Sequence, residues 1–76
     1  MNLRPKKGDL VYLPADITLV NRTDETISAH SRVTEPVCAL VLVANVNNEN
    51  IYHKVHVQGA DWYVRTIDAL EVMSRV

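Results

Sequence analysis

The chain has 76 residues, 47% of them hydrophobic, and eight Lys and Arg against nine Asp and Glu leave a formal net charge of −1. A chain this short forms one small domain, which buries only about 60% of its unfolded surface. The apolar content excludes a disordered chain, and the lack of a basic excess argues against a strongly electrostatic binder of nucleic acid.

The N-terminal segment from Met1 to Lys7 is polar, contains Pro5 and predicts a loose lead-in to a single domain that spans residues 1–76. The first part of the chain holds no continuous apolar region of the kind that a secretory signal needs. No apolar run reaches the roughly 18 residues of a membrane-spanning helix. We therefore expect a cytoplasmic protein that has no membrane partner.

The first strand is predicted at Leu10 to Leu13, after a turn at Gly8 and Asp9. Its β-branched, aromatic and aliphatic residues are typical of strands. Pro14 ends the strand because proline has no N–H to donate to a ladder. This opening predicts a short strand that begins the domain.

The section from Ala15 to Pro36 predicts a long, irregular hairpin arm after the first strand. Two weak apolar groups, at Ile17 to Val20 and at Ile27 to Val33, flank a polar, turn-like cluster at Asn21 to Glu25. A short helix at Pro14 to Val20 is the alternative for the first part of the arm. The sequence leaves open whether the arm is ordered without a partner.

The strongest strand signal is Val37 to Val46. The run VCALVLVANV is apolar on both faces for most of its length, as in a strand that is buried on both sides. Its β-branched content and the preceding Pro36 favour a strand over a helix. We expect Val41 and Val43 in the core, and Cys38 as a small buried hydrophobic residue.

Two hairpins are predicted in the second half of the chain. The polar connection from Asn47 to Asn50 suits a hairpin turn because asparagine tolerates positive φ. A second tight turn at Gln58 to Ala60 follows. The remaining predicted segments are strands at Ile51–Val57, Asp61–Arg65 and Leu70–Met73, and one turn of 3₁₀ helix at Thr66–Asp68.

The strands on either side of the second turn alternate between apolar and polar positions, which predicts half-buried antiparallel strands. We expect Trp62 in the core and His53 as a packed, hydrogen-bonded residue at its edge. The inward set is Ile51, His53, Val55, Val57, Trp62 and Val64. The outward set is Tyr52, Lys54, His56, Asp61, Tyr63 and Arg65.

Together these segments predict an all-β domain of five to six short strands, and closure into a small barrel would remove vulnerable sheet edges. The pair Tyr63-Val64, the 3₁₀ turn at Thr66–Asp68, and core positions at Ala69 and Val72 resemble the end of SH3-type domains. The opening Gly8-Asp9-x-Val11-x-Leu13 resembles first strands of SH3-like and KOW-like barrels. The resemblance implies an SH3-like barrel with a long irregular loop after the first strand.

The resemblance does not carry proline-rich peptide recognition with it. The family uses a proline and a tyrosine on the two sides of the 3₁₀ turn, where this chain has Arg65 and Asp68. Fold alone does not determine function. The general look of the chain is also similar to small accessory proteins of tailed bacteriophages, which would place the protein in the host cytoplasm.

Catalysis, metals and cofactors find no support in the motifs. His53 and His56 point to opposite faces of one strand, and zinc sites normally show paired ligands at short spacing. A nucleophilic site would need Cys38 or a serine beside a histidine and an orienting acid, and no such frame is recognisable. We expect a protein that is not an enzyme and has no cofactor.

The binding residues we predict combine tyrosines with basic side chains, and they are Tyr12, Tyr52, Lys54, His56, Tyr63 and Arg65. A solvated sheet face with ordinary cross-strand pairs is the alternative interpretation of these residues. Tyrosine with nearby positive charge suits either single-stranded nucleic acid or a protein hot spot. The low net charge favours a protein partner, such as a host protein modulated by a phage accessory factor. A KOW-like nucleic-acid-binding barrel and a structural or assembly subunit are the alternatives, and the oligomeric state is left open.

Overall fold

The computed structural model describes residues 4–23, 26–46, 51–69 and 71–74. Within these residues the chain forms one antiparallel sheet of seven strands. The strands are β1 (Leu10–Leu13), β2 (Thr18–Thr23), β3 (Thr26–Arg32), β4 (Val37–Val43), β5 (Tyr52–Val57), β6 (Ala60–Arg65) and β7 (Glu71–Ser74). A 3₁₀ helix at Thr66–Asp68 joins β6 to β7.

The strand order across the sheet is β3-β2-β6-β5-β4-β1-β7, so β3 and β7 are its two edges. The all-β prediction is confirmed, with more strands than the five to six expected. Because the last strand pairs with the first, the two ends of the domain lie side by side in the sheet.

One face of the sheet supplies the core. Alternate residues of β1, β4, β5 and β6 point to it, and the start of β2 and the segment after β3 complete it. Trp62 and Val72 pack against this core while half-buried. The buried apolar residues are Val11, Leu13, Ile17, Leu19, Val33, Ala39, Val41, Val55, Val57, Val64 and Ala69.

The section after β1 is more regular than the sequence predicts. Instead of an irregular arm it forms the β2–β3 hairpin, in which Leu19 pairs with Ser31 and Val20 with His30. The ladder skips Ser28, because Asn21 pairs with Ala29 while the next residue pairs with Ile27. One extra residue on β3 breaks the period-2 pattern, which is why the sequence gives only a weak strand signal there. Thr18–Val20 are in β2, so the alternative helix is wrong for those residues.

β4 is buried on one face and not on both. Val41 lies in the core, as predicted, but Leu40 and Val43 are exposed. Cys38 is also exposed, so its predicted burial is wrong. The ladder pairs Val41 with Val55 and Val43 with Lys54, so Leu42 is an extra residue. This bulge reverses the facing of the residues after it, which turns Val43 away from the core.

The turns predicted before β1 and between β5 and β6 are found. The turn-like cluster predicted at Asn21 to Glu25 is wrong for Asn21–Thr23, which belong to β2, and residues 24–25 lie outside the described residues. Gln58 and Gly59 both have positive φ, at 51° and 81°, as a tight type I′ hairpin requires. Lys7 and Gly8 form the turn before β1, and the 3₁₀ turn lies at Thr66–Asp68 as predicted. The connection at 47–50 and the start of the lead-in at 1–3 lie outside the described residues, as does Leu70.

His53 is the buried polar side chain that the alternation pattern predicts at the core edge. Its ring Nδ1 accepts a hydrogen bond of 3.0 Å from the backbone N–H of Asn45. Burial lowers the pKa of the imidazole below its ordinary 6.5. The histidine is therefore held neutral, with its proton on the other ring nitrogen.

We expect the domain to lose stability as pH falls through about 6.5, the ordinary pKa of histidine in an unfolded chain. Between that pH and the lower pKa of the folded state, His53 binds a proton in the unfolded chain but not in the folded domain, so protonation favours unfolding. Urea unfolding between pH 8 and pH 5 measures the slope. His53→Gln should flatten it, whereas His30→Gln, at an exposed histidine, should not. An unchanged slope in His53→Gln would contradict this assignment.

Candidate interaction surface

The outward residues of β5 and β6 form one cross-strand block on the face away from the core. Directly opposed residues in an antiparallel ladder share a face. The pairs are Tyr52 with Arg65, Lys54 with Tyr63, and His56 with Asp61. We call five of these residues the tyrosine face: Tyr52, Lys54, His56, Tyr63 and Arg65.

Two tyrosines make the centre of this surface. The ring centroids of Tyr52 and Tyr63 lie 6.4 Å apart with an interplanar angle of 82°. This edge-to-face arrangement is favourable for aromatic pairs. Both side chains are half-buried, so the pair presents a pre-arranged aromatic surface and a partner need not order it.

Two of the three basic side chains of the tyrosine face already bond to aspartates. Arg65 Nε donates to Asp68 Oδ2 at 2.9 Å, and His56 Nδ1 lies 2.7 Å from Asp61 Oδ1. Among the described residues Lys54 makes no ion pair. The face therefore offers a partner one uncompensated cation beside two aromatic rings.

Tyr12 lies apart from the tyrosine face. On β1 it pairs with Cys38 of β4 and with Glu71 of β7. Since β4 separates β1 from β5 in the sheet, Tyr12 does not join the Tyr52–Tyr63 pair. The sequence does not reveal the strand order, so it could not show this separation. The role of Tyr12 in binding stays a prediction.

An apolar surface that the sequence does not predict adjoins the tyrosine face. Leu10 pairs with Leu40, which in turn pairs with His56. Val43 pairs with Lys54. We call Leu10, Leu40 and Val43, which are 38%, 37% and 46% exposed, the aliphatic patch. Strict alternation around Ala39 and Val41 would place Leu40 outward. It would place Val43 inward, because the bulge after Val41 is not visible in the sequence.

On its other side the tyrosine face continues into the β2–β3 hairpin. Tyr63 pairs with Val20, and Val20 pairs with His30. One continuous row therefore crosses β4, β5, β6, β2 and β3. The alternation of Ile17 and Leu19 inward with Val20 outward is the signal that could have found this extension.

Comparisons with known proteins do not indicate a function for this surface, so its function is inferred from the geometry. No family model matches the chain, and neither a curated protein nor a solved structure matches it significantly. Within the described part of the chain, no helix is long and apolar enough to cross a membrane. The same residues contain no group of three or more His, Cys, Asp or Glu side chains placed to hold a metal ion.

Proposed function

We propose that this chain is a small, non-enzymatic interaction module that binds another protein through the tyrosine face. The observation that carries the proposal is the edge-to-face pair of Tyr52 and Tyr63 on the outer side of the sheet, with Lys54 of β5 directly opposite Tyr63 of β6. Tyrosines are enriched among the residues that dominate binding energy at protein interfaces. A pre-arranged pair also reduces the entropy lost on binding.

The fold we propose for this module is an SH3-like barrel that stays open between its edge strands, β3 and β7. Three features support it: the hairpin arm between β1 and β4, the 3₁₀ helix that follows the tyrosine-bearing β6, and the pairing of β7 with β1. Arg65 and Asp68 bond to each other across the 3₁₀ helix. This pair stands where proline-rich peptide binders have a proline and a tyrosine, so the proposed partner is not a proline-rich segment.

The pairing of charges favours a protein over a nucleic acid. Binding to phosphates gains affinity when free Lys and Arg displace counterions. Asp68 engages Arg65, which therefore has less charge to offer a phosphate, and Asp61 occupies a ring nitrogen of His56. The further suggestion of a phage accessory factor with a host target rests on the general look of the sequence and stays a prediction.

Tyr63→Ala is expected to weaken partner binding by about 2 kcal/mol or more, roughly 30-fold in Kd, while the domain stays folded. The reason is that Tyr63 is half-buried on the outer face and contributes to the aromatic pair rather than to the core. Tagged wild-type protein first captures the partner from cell extract. Titration of that partner against the variants then measures the loss.

Ile27→Ala is the matched control because Ile27 is an exposed apolar residue of β3 outside the tyrosine face. It should bind as the wild type does. The capture is run with and without nuclease. A partner that disappears after nuclease treatment would replace the protein proposal with the KOW-like nucleic-acid alternative, and wild-type affinity in Tyr63→Ala would remove the tyrosine face as the site.

A further inference from the structure

The tyrosine face and the aliphatic patch are continuous and have different chemistry. Leu40 is directly opposite His56, and Val43 is directly opposite Lys54. The rows of Leu40 and Val43 are separated by two residues of β5, about 6.6 Å along the strand. A ligand that covers both surfaces must therefore place apolar side chains over β1 and β4 and a polar, complementary group over β5.

The backbone of such a ligand must satisfy its own hydrogen bonds. A sheet face presents side chains, and its N–H and C=O groups are used within the ladder. An extended segment would instead need a free sheet edge. Both edges are interrupted, since the ladders skip Ser28 on β3 and Met73 on β7, and bulges of this kind blunt strand addition. A helix satisfies its backbone internally, and its turn of about 5.4 Å is close to the row spacing.

The dimensions of the surface favour a segment over a second copy of this chain. Stable protein–protein interfaces use about 20–30 residues from each partner. The aliphatic patch offers three partly exposed aliphatic side chains, Leu10, Leu40 and Val43. A second copy related by a two-fold axis through Lys54 would bring the two ammonium groups together, and like charges that meet at an interface are unfavourable.

The charge of the surface specifies the polar side of the ligand. Among the described residues Lys54 has no ion-pair partner, and it stands directly opposite Val43 on one side and Tyr63 on the other. A carboxylate next to an apolar stripe would reach this ammonium group while its apolar neighbours cover Val43. The complement of the surface is therefore an acidic amphipathic helix.

We propose that the aliphatic patch and the tyrosine face together receive an amphipathic helix of the partner protein, with apolar residues on Leu10, Leu40 and Val43 and an Asp or Glu on Lys54. This inference rests on the proposed function and adds the chemical class of the partner segment. In this arrangement the helix lies over the junction of β4 with β5, and Lys54 selects for an acidic side chain on the helix.

The probe is a display library of helical peptides of about 15 residues, about 22 Å long, with a fixed apolar stripe and randomised flanking positions. Selection on the intact protein should enrich Asp or Glu beside the stripe. Lys54→Glu should weaken the selected peptide by about tenfold or more, and replacing the peptide's acidic residue with lysine should restore binding to that variant. Val43→Thr, which keeps a β-branched side chain, should weaken it several-fold. Ile27→Thr should have no effect.

The proposal is overturned if no helix is enriched, or if enriched helices bind Lys54→Glu and Val43→Thr as tightly as the wild type. It is also overturned if the protein is a dimer whose mass falls to that of a monomer in Val43→Thr. Binding of the captured cellular partner to Tyr63→Ala distinguishes failure of the helical ligand from failure of the proposed function. If Tyr63→Ala weakens that partner but no helix binds, the interaction surface stands and the helical ligand falls. If Tyr63→Ala leaves that partner unaffected, the proposed function falls.

Discussion

Val41→Asp is expected to unfold the domain, whereas Val43→Asp leaves it folded. Val41 is 1% exposed and Val43 is 46% exposed, although the two valines are separated by one residue in an apolar run. A buried, unpaired carboxylate costs several kcal/mol. Domains of this size have only about 5 kcal/mol or a little more to lose, so the first variant should have no cooperative thermal transition.

The contrast between the two variants tests the bulge at Leu42. Without the extra residue, strict alternation would bury both valines, and both substitutions would unfold the domain. At its exposed position the new carboxylate of Val43→Asp remains solvated, so the expected cost is about 1 kcal/mol or less. Circular dichroism melts of the two variants beside the wild type give the answer. A folded Val41→Asp, or an unfolded Val43→Asp, would contradict the pairing of β4 with β5.

Asp9→Ala is expected to destabilise the domain by about 1–3 kcal/mol, because it removes a buried side-chain acceptor from the turn before β1. Asp9 is buried, and its Oδ2 accepts the backbone N–H of Lys6 at 2.9 Å. In the same turn the N–H of Asp9 donates to the carbonyl of Lys6, at 3.0 Å. The turn also joins β4, since Gly8 N–H donates to Val41 O and Val41 N–H donates to Asp9 O.

Urea unfolding measures this loss, with Asp9→Asn as the matched control. Asparagine keeps an oxygen of similar shape in the acceptor position, so it should retain most of the stability that alanine loses. Equal destabilisation by the two substitutions would show that the negative charge, and not the acceptor geometry, supports the turn. Wild-type stability in Asp9→Ala would contradict a structural role for the carboxylate.

The local sequence pattern is sufficient to predict the centre of the candidate site, which is the outward pair of Tyr52 and Tyr63. Alternation in Ile51–Val57 and in Asp61–Arg65, with a turn at Gln58 to Ala60, predicts which side chains face outward, and the register confirms the three outward cross-strand pairs. The same pattern is wrong for Ile51, which it places inward but which is 50% exposed. The inference works because the two strands are joined by a tight hairpin, in which turn length determines the register. His53 at the core edge follows from the same period of two.

Contacts between distant segments decide what lies around that centre. The placement of Tyr12 away from Tyr52, and of Leu10 beside Leu40, depends on the insertion of β1 between β4 and β7. No local signal in the sequence encodes this order. The aspartates that engage Arg65 and His56 are close in sequence, yet strand alternation does not predict their bonds, since it specifies faces and not side-chain partners.

Residue chemistry and a period of two within single hairpins are enough to predict an all-β domain, the tight turn at Gln58 and Gly59, the inward histidine and the outward pair of tyrosines. The strand order, the regular β2–β3 hairpin and the exposure of Cys38, Leu40 and Val43 depend instead on contacts between segments. A bulge reverses the facing of the residues after it. In addition, an apolar strand is buried on both faces only where a second layer packs over it. Neither condition can be read from the apolar run VCALVLV alone.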